Sequence, residues 1–451
     1  MADEKTLLFS EVPVRKAVLT LAVPTVISQL ITVVYNMADT FFIGQLNDPL
    51  QVAAATLAMP CFMFLTAFAN LFGLGGSSLI SRCLGSENKE KAKNTSAFCI
   101  WTGIVVAFLY GIAILILEPV LFPVFGAKAE TWGYLKQYVL WTIGVGAVPT
   151  VMNAEFAHLI RSEGYSRQAG FGVALGGILN IALDPVFIFG FQLKIAGAAI
   201  ATMLSNVIAM LYFVLFLLHI RKKTAITMNP KKYSVRQNIP AEVIMVGLPG
   251  FVMTMMSTIS NTALNHIVAA YSNTAIAGMG IAKKIDLLAY AIDQGMTQGT
   301  LPLIGYNFSS GNIKRMKQAV KTAFLYSFVV AMCGMILLYF FATPISGCFI
   351  SDAETVGYGQ QFLKIICLAC PTTAVNFMTI TVFQAIGKKI QPLFLSLLRK
   401  GSLDIVFMIL LNKTMGISGI AWATPFADWI AFIISMILVI PYLKRLNTSV
   451  K

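Results

Sequence analysis

LISRCLGSENKEKAKN (79–94) and LIGYNFSSGNIKRMKQ (303–318) read as two copies of one segment, an apolar helix end passing through a polar turn into a basic helix start. Laid against each other, they place Asn88 on Asn312, Lys91 on Arg315 and Lys93 on Lys317. The likeness extends outward: KIAGAAIAT (194–202) matches GISGIAWAT (416–424), Pro24 matches Pro249, Pro149 matches Pro371, and Gly164 matches Gly387. All of these spacings stay near half of the 451-residue chain, so the duplicated unit is half of the molecule.

The unit is made for lipid. Of the residues 57% are hydrophobic and 12% charged, with a mean hydropathy of +0.77; a soluble domain has about 45–50% and about 25%. A bilayer core needs about 20 apolar residues per helix. On that measure twelve spans begin near residues 17, 52, 95, 132, 166, 195, 242, 278, 319, 357, 391 and 416, and the last ends near Leu443. The expected fold is all-α and integral to the membrane, with twelve transmembrane helices in two six-helix bundles around a central cavity. The first bundle is read over 1–218, a cytoplasmic linker over 219–240 and the second bundle over 241–451. Six is even, so the two copies share one orientation and form a parallel repeat about an axis along the membrane normal, an architecture that can rock to give alternating access.

The net charge of +14 follows the topology. Arg15, Lys16, Arg82, Lys89, Arg161, Arg167, Arg221, Lys222, Lys223, Lys314, Lys388, Lys389, Lys444 and their neighbours fall in loops on one side, against Lys128, Lys136, Lys194 and Lys413 on the other. The positive-inside rule puts that side, and both termini, in the cytoplasm of a cell whose plasma (inner) membrane the chain spans. No nucleic acid is needed to explain the bases; anionic lipid is a fitting neighbour. The amino-terminal stretch leads into an apolar run longer than a signal peptide's core, so an uncleaved first helix is expected. Seven cysteines, mostly in apolar runs, make no disulfide framework, and the Cys367–Cys370 spacing has no His or second pair beside it; buried thiols and no metal site are expected.

NIALDPVFIFG (180–190) sets a carboxylate, Asp184, among apolar residues. Even the mildest insertion scale charges about 2.5–3.5 kcal/mol for such a group at mid-membrane. Asn180 is one turn inward on the same face, and Pro185 cannot donate to the helix, which frees the carbonyl of Ile181. Asp39, the only acid of the first span, and Thr202, two turns into the sixth, are expected at the same outer depth. Oxygen ligands of this kind suit a hard ion or a proton.

YNMADTFFIGQL, LIRSEGYSRQAG, LNIALDPVFIFG, AGAAIATMLSN and QGTLPLIGYNFSSGNIKRMKQA together resemble the multidrug and toxic compound extrusion (MATE) family, most closely its bacterial DinF-like and MepA-like branch. The resemblance covers nearly the whole chain. It implies a secondary antiporter, without a cofactor, that exports organic, often cationic and aromatic compounds in exchange for H⁺ or Na⁺. It also implies that Asp39, Asn180, Asp184 and Thr202 form the ion-coupling site in the N-terminal half. The NorM-like branch carries acids in the seventh and tenth helices, whereas PGFVMTMMSTISNTALNH (249–266) and CPTTAVNFMTITVFQA (370–385) have none.

Two carboxylates in a low-dielectric cavity repel each other, so the pair is expected to hold a cationic substrate when ionised and to release it on taking up H⁺ or Na⁺. Pro24 and Pro185 are places where that change could become a bend. Substrate contacts are assigned to Asp39, Met37, Met59, Met63 and Met203, since methionine adapts to varied shapes, although core packing accounts for a single Met equally well. Secondary candidates are Glu155, at an inner vestibule or a solvated interface, and Asp286 and Asp293, two turns apart beside Lys283 and Lys284 as an internal ion pair. Asp404 with Arg399 and Lys400, and Asp428, follow. Expected partners are small organic molecules and lipid, with the chain acting as a monomer. The alternative, a lipid-linked oligosaccharide or other lipid flippase, would want mid-membrane bases in the N-terminal half. An enzyme is not expected: neither D-D-x-x-D nor H-E-x-x-H occurs, and no nucleophile–base set emerges.

Overall fold

The computed structural model describes residues 4–350 and 352–446. The outermost residues of the two expected bundles, 1–3 and 447–451, lie outside the described ones. In chain order the passes are α1 (Val14–Gly44), α2 (Pro49–Gly85), α3 (Lys89–Val124), α4 (Ala129–Val139 and Ala147–Ser162, joined by a π-helical turn Leu140–Val145), α5 (Ser166–Pro185, continued by a π turn Val186–Gly190) and α6 (Lys194–His219). The second half repeats them as α7 (Ile239–Ala269), α8 (Asn273–Ser309), α9 (Ile313–Phe340), α10 (Ala353–Ile366 and Cys370–Ala385 around a 3₁₀ turn Cys367–Ala369), α11 (Ile390–Ser396 and Asp404–Met415 around a π turn Leu397–Leu403) and α12 (Ile417–Arg445). Short helices Glu4–Ser10 and Ala342–Gly347 stand outside this count, and no strand occurs among the described residues.

Nine of these helices are long and apolar enough to cross a membrane, and the two arms of α4, folded by 50°, make a tenth. The other two, α8 and α11, carry charges inside their apolar runs, at Lys283, Lys284, Asp286 and Asp293 and at Arg399, Lys400 and Asp404. Those charges lower their hydropathy but not their reach; at about 1.5 Å per residue the 37-residue α8 spans about 55 Å.

The duplication is written in the backbone. Asn88 and Asn312 cap α3 and α9 in the same way, accepting hydrogen bonds from the amides of Lys91 at 3.0 Å and Arg315 at 3.1 Å. The residues before them, Glu87 and Gly311, are both left-handed, with φ of 60° and 78°. Lys194 and Gly416 start α6 and α12 with φ of 54° and 61°, and Pro149 and Pro371 each follow the irregular turn that breaks α4 and α10.

Both described chain ends pack at one end of the bundle, where Phe9 and Leu446 belong to the same apolar cluster; we call this the basal end. There the halves close on one another through glycines. A Cβ on Gly247 of α7 would stand 1.8 Å from the Leu71 carbonyl oxygen of α2, one on Gly75 would stand 2.1 Å from that of Val243, and one on Gly85 would stand 2.2 Å from that of Tyr306. Only glycine allows this approach. Glu242 of α7 adds ion pairs to Arg82 at 3.2 Å and Lys91 at 2.8 Å. Further along, Gln29 donates to Gln298 at 2.8 Å and Asn70 to Thr254 at 3.1 Å. Of these, Asn70 and Gln298 line a small cavity of about 30 Å³ between the halves, together with Met253, Gln294, Phe377 and Gln384.

The segment between α6 and α7 does not hang free. The Glu163 carboxylate accepts from the Thr224 hydroxyl at 2.5 Å and the Ala225 amide at 2.6 Å, and Trp101 donates to the Met228 carbonyl at 3.1 Å. The segment is therefore strapped along the N-terminal half.

Candidate functional site

Glycines set the register of the helices that carry Asp184. On the α1 side, a Cβ on Gly170 would meet Pro24 at 2.7 Å, and one on Gly177 would meet Ile31 at 2.9 Å and Tyr35 at 3.0 Å. Seven residues on α5 thus match seven on the parallel α1. One further repeat brings Asp184 level with Ala38 and Asp39. On the opposite face, Gly172 meets Phe213 and Gly176 meets Ala209 of α6, which runs antiparallel, so the same step carries Asn180 and Asp184 to the level of Ser205 and Ala201. The small residues let the three backbones approach closely enough for short polar side chains to touch.

At that level the Asn180 amide donates to Asp184 Oδ1 at 3.3 Å and to the Thr202 hydroxyl at 3.2 Å. Asp184 has no exposed surface, Asn180 is 1% exposed and Thr202 7%. Asp39 is half-buried and near enough to act electrostatically on Asp184. Asp39 Oδ1, Asn180 Oδ1 and Asp184 Oδ2 are buried oxygens that accept no hydrogen bond. Three such acceptors, with few donors to meet them, describe a place for a proton or a small cation. Beyond Pro185 the hydrogen bonding shifts to the π pattern, with the Phe191 amide donating to the Val186 carbonyl at 2.9 Å.

Sequence reasoning missed several neighbours. Tyr35 and Tyr138 lie within electrostatic range of both acids. Asn206 donates to the Thr202 carbonyl at 2.9 Å and accepts from Asn153 of α4 at 2.9 Å, which lengthens the polar ladder. Tyr35 is four residues before Asp39 and Asn206 four after Thr202, so the i, i+4 spacing was the signal available for both. Of the methionines, Met59 is 52% exposed, Met37 and Met63 are half-buried, and Met203 is buried at 9%.

The secondary candidates are placed differently from expectation. Glu155 faces neither a vestibule nor a solvated interface: it is fully buried, and a Cβ on Gly103 of α3 would stand 2.2 Å from its Oε2. Arg161, expected in a loop, is buried in the last turn of α4 with its Nη2 3.5 Å from the Ser28 hydroxyl. Of the expected internal ion pair, Lys283 does pair with Asp286, at 3.9 Å, whereas Lys284 is exposed and Asp293 joins no ion pair among the described residues.

The residues ranked last form the most connected cluster. Arg399 and Asp428 make a buried ion pair through the guanidinium Nε. Arg399 Nη2 adds contacts of 3.3 Å to Asp428 Oδ2 and to the Thr373 hydroxyl, and the guanidinium lies 4.7 Å from the Phe377 ring centroid. Lys400 pairs with Asp404 at 3.4 Å, and Asp404 also accepts from Ser260 at 2.5 Å and Thr424 at 3.2 Å. In the register that matches Lys194 with Gly416, Thr202 corresponds to Thr424 and Asn206 to Asp428. The second copy thus keeps a polar core at the place of the first but fills it with paired charges.

Known proteins are similar to this chain along nearly its whole length. A family model described as MatE matches residues 24–186 and again 249–410. The multidrug export protein MepA of Staphylococcus saprophyticus subsp. saprophyticus is 31% identical over 445 residues, 99% of this chain and 97% of its own. The protein of that name from Staphylococcus aureus strain MSSA476 is 29% identical over the same shares. Among solved structures, a MATE protein in complex with MaL6 superposes with a TM-score of 0.93 at 25% identity, covering 99% of this chain and 100% of that one. An outward-facing multidrug resistance MATE family transporter of the MOP superfamily gives 0.90 at 26%, with the same coverage. With the family model matched once in each half and a relative above 30% identity along nearly its whole length, this chain belongs to the MatE family.

Proposed function

We propose that the protein is a secondary antiporter that exports organic, often cationic and aromatic compounds in exchange for H⁺ or Na⁺, with Asp39, Asn180, Asp184 and Thr202 as its ion-coupling site. The observation that carries this reading is the set of buried oxygens without hydrogen bonds on Asp39, Asn180 and Asp184, at one level of α1 and α5. A cationic substrate and a coupling ion compete for the same negative charge, and competition for one charge is enough to link inward flow of the ion to outward flow of the substrate. The export function of the MepA relatives supports the direction and the substrate class.

Asp39, Met37, Met59 and Met63 are offered as substrate contacts, with Met203 behind them as packing beside Thr202. The loop bases favour a plasma-membrane protein with both termini in the cytoplasm, so the basal closure would be the cytoplasmic gate. The protein works as a monomer, without a cofactor, and it moves its substrate chemically unchanged. A flippase draws no support from this pocket, where the facing charges are acids.

The test is efflux of a fluorescent cationic dye from proteoliposomes under a proton gradient and a Na⁺ gradient imposed separately. One gradient should drive export by the wild type, and Asp184→Asn should abolish it. Unchanged efflux by the variant would assign Asp184 a structural role only.

A further inference from the structure

The C-terminal cluster holds a charge that the N-terminal site does not explain. Its cations are Lys283, Arg399 and Lys400, and each is taken: Lys283 by Asp286, Arg399 by Asp428, Lys400 by Asp404. Asp293 is a fourth carboxylate. It is 3% exposed, and its side chain makes no hydrogen bond or ion pair among the described residues. Within electrostatic range of it lies the reverse deficiency: Arg399 has in Nη1 a buried donor with no acceptor.

The other groups around Asp293 do not supply a cation. On its own helix there is Asp286, from α12 Asp428, and from α10 Cys370. Along the same stretch of α8, α1 presents Val26 to Gly295 and Ala22 to Gly299, and Ala289 packs on an apolar cluster that includes Ala331 of α9 and Cys370 of α10. With Arg399 engaged by Asp428, the cluster is charge-balanced only when Asp293 is neutral, since an unpaired buried carboxylate is strongly disfavoured.

We propose that Asp293 is a proton-binding site of the C-terminal half, holding its proton while Arg399 is engaged with Asp428 and releasing it when the free Arg399 donor turns to it. The step is a plain proton transfer: the O–H bond of the carboxylic acid breaks, the proton leaves to water, and the carboxylate accepts from the guanidinium. The π turn Leu397–Leu403 that carries Arg399 lacks the regular helical ladder, which gives the arginine a backbone able to adjust. Thr297, one turn on from Asp293 along the same helix face, lines the cavity between the halves, so the proton has a short way to that cavity. The site is separate from the N-terminal one and does not depend on it.

The test is infrared difference spectroscopy of the protonated-carboxyl band of the full-length protein in lipid, titrated with pH. Asp293→Asn should lose one titrating carboxyl that Asp184→Asn retains, and Arg399→Lys, which deletes the free donor but keeps the charge, should move the pH at which that band disappears. A titration of Asp293→Asn identical to wild type would overturn the proposal. Should that variant fail to fold, Asp293→Glu must shift the same band, and an unshifted band would overturn it equally.

Discussion

Alanine at Gly247 should open the basal end. The added Cβ would lie 1.8 Å from the Leu71 carbonyl oxygen, against 3.4 Å for ordinary contact, so α2 and α7 must separate by about 1.6 Å. The obstacle is backbone, which cannot rotate aside as a side chain would. Overpacking of this kind costs roughly 1–3 kcal/mol, which moves an open–closed equilibrium by about 5- to 150-fold. Alanine is also intrinsically better than glycine in a helix by up to about 1 kcal/mol, so any opening that appears is due to the contact and not to a weakened helix. Spin labels on cysteines placed at Lys89 and Lys314, in a background lacking the native cysteines, should report a longer distance across the basal end, and dye efflux should slow in step. Gly334→Ala, where a Cβ meets nothing within 4 Å, is the control and should be silent. Distances and efflux in Gly247→Ala equal to those of Gly334→Ala would refute the argument that glycine contacts hold this end shut.

Three further outcomes are expected. Thr202→Val removes the hydroxyl that accepts from Asn180 at 3.2 Å; at about 1–1.5 kcal/mol for a lost hydrogen bond, the ion concentration giving half-maximal efflux should rise roughly tenfold, while efflux at saturating ion is kept. Glu242→Gln removes two partly exposed pairs worth about 0.5–1 kcal/mol each; basal opening measured by the same labels should become less sensitive to added salt than in the wild type. Asp428→Ala strands the buried Arg399 and should destabilise the protein by about 3–5 kcal/mol in thermal unfolding, with much of the loss recovered when Arg399→Met is combined with Asp428→Leu.

The fold was legible because duplication and hydropathy act on whole segments. Each expected span start lies within a turn or two of the helix observed, and the Asn88–Asn312 and Gly164–Gly387 matches reappear as shared caps and shared left-handed turns. The family resemblance was legible for the same reason, since its motifs cover both copies. Asp184, Asn180 and Thr202 could be brought to one depth by counting turns from the ends of their spans, because α5 is one uninterrupted α-helix as far as Pro185. Counting failed where the contact depends on which way a helix faces. Nothing in the sequence says that Arg399 turns to Asp428 on the next helix instead of to Asp404, its neighbour at i+5, or that Glu155 packs on Gly103. The π turns in α4, α5 and α11 rotate every later side chain, and no residue pattern marks them in advance. Arg161 was misplaced because a base near a loop reads as solvated, whereas the last turn of α4 is enclosed by α1 and α2.

The most direct test of the central claim is competition at Asp184 measured without a gradient. The purified protein, weakly buffered at constant pH with and without Na⁺, would be mixed with a cationic dye while released protons and displaced radioactive Na⁺ are counted. The account predicts that dye binding expels one of the two ions from the wild type and neither from Asp184→Asn. Ion release of wild-type size from Asp184→Asn, with the dye still bound, would contradict it.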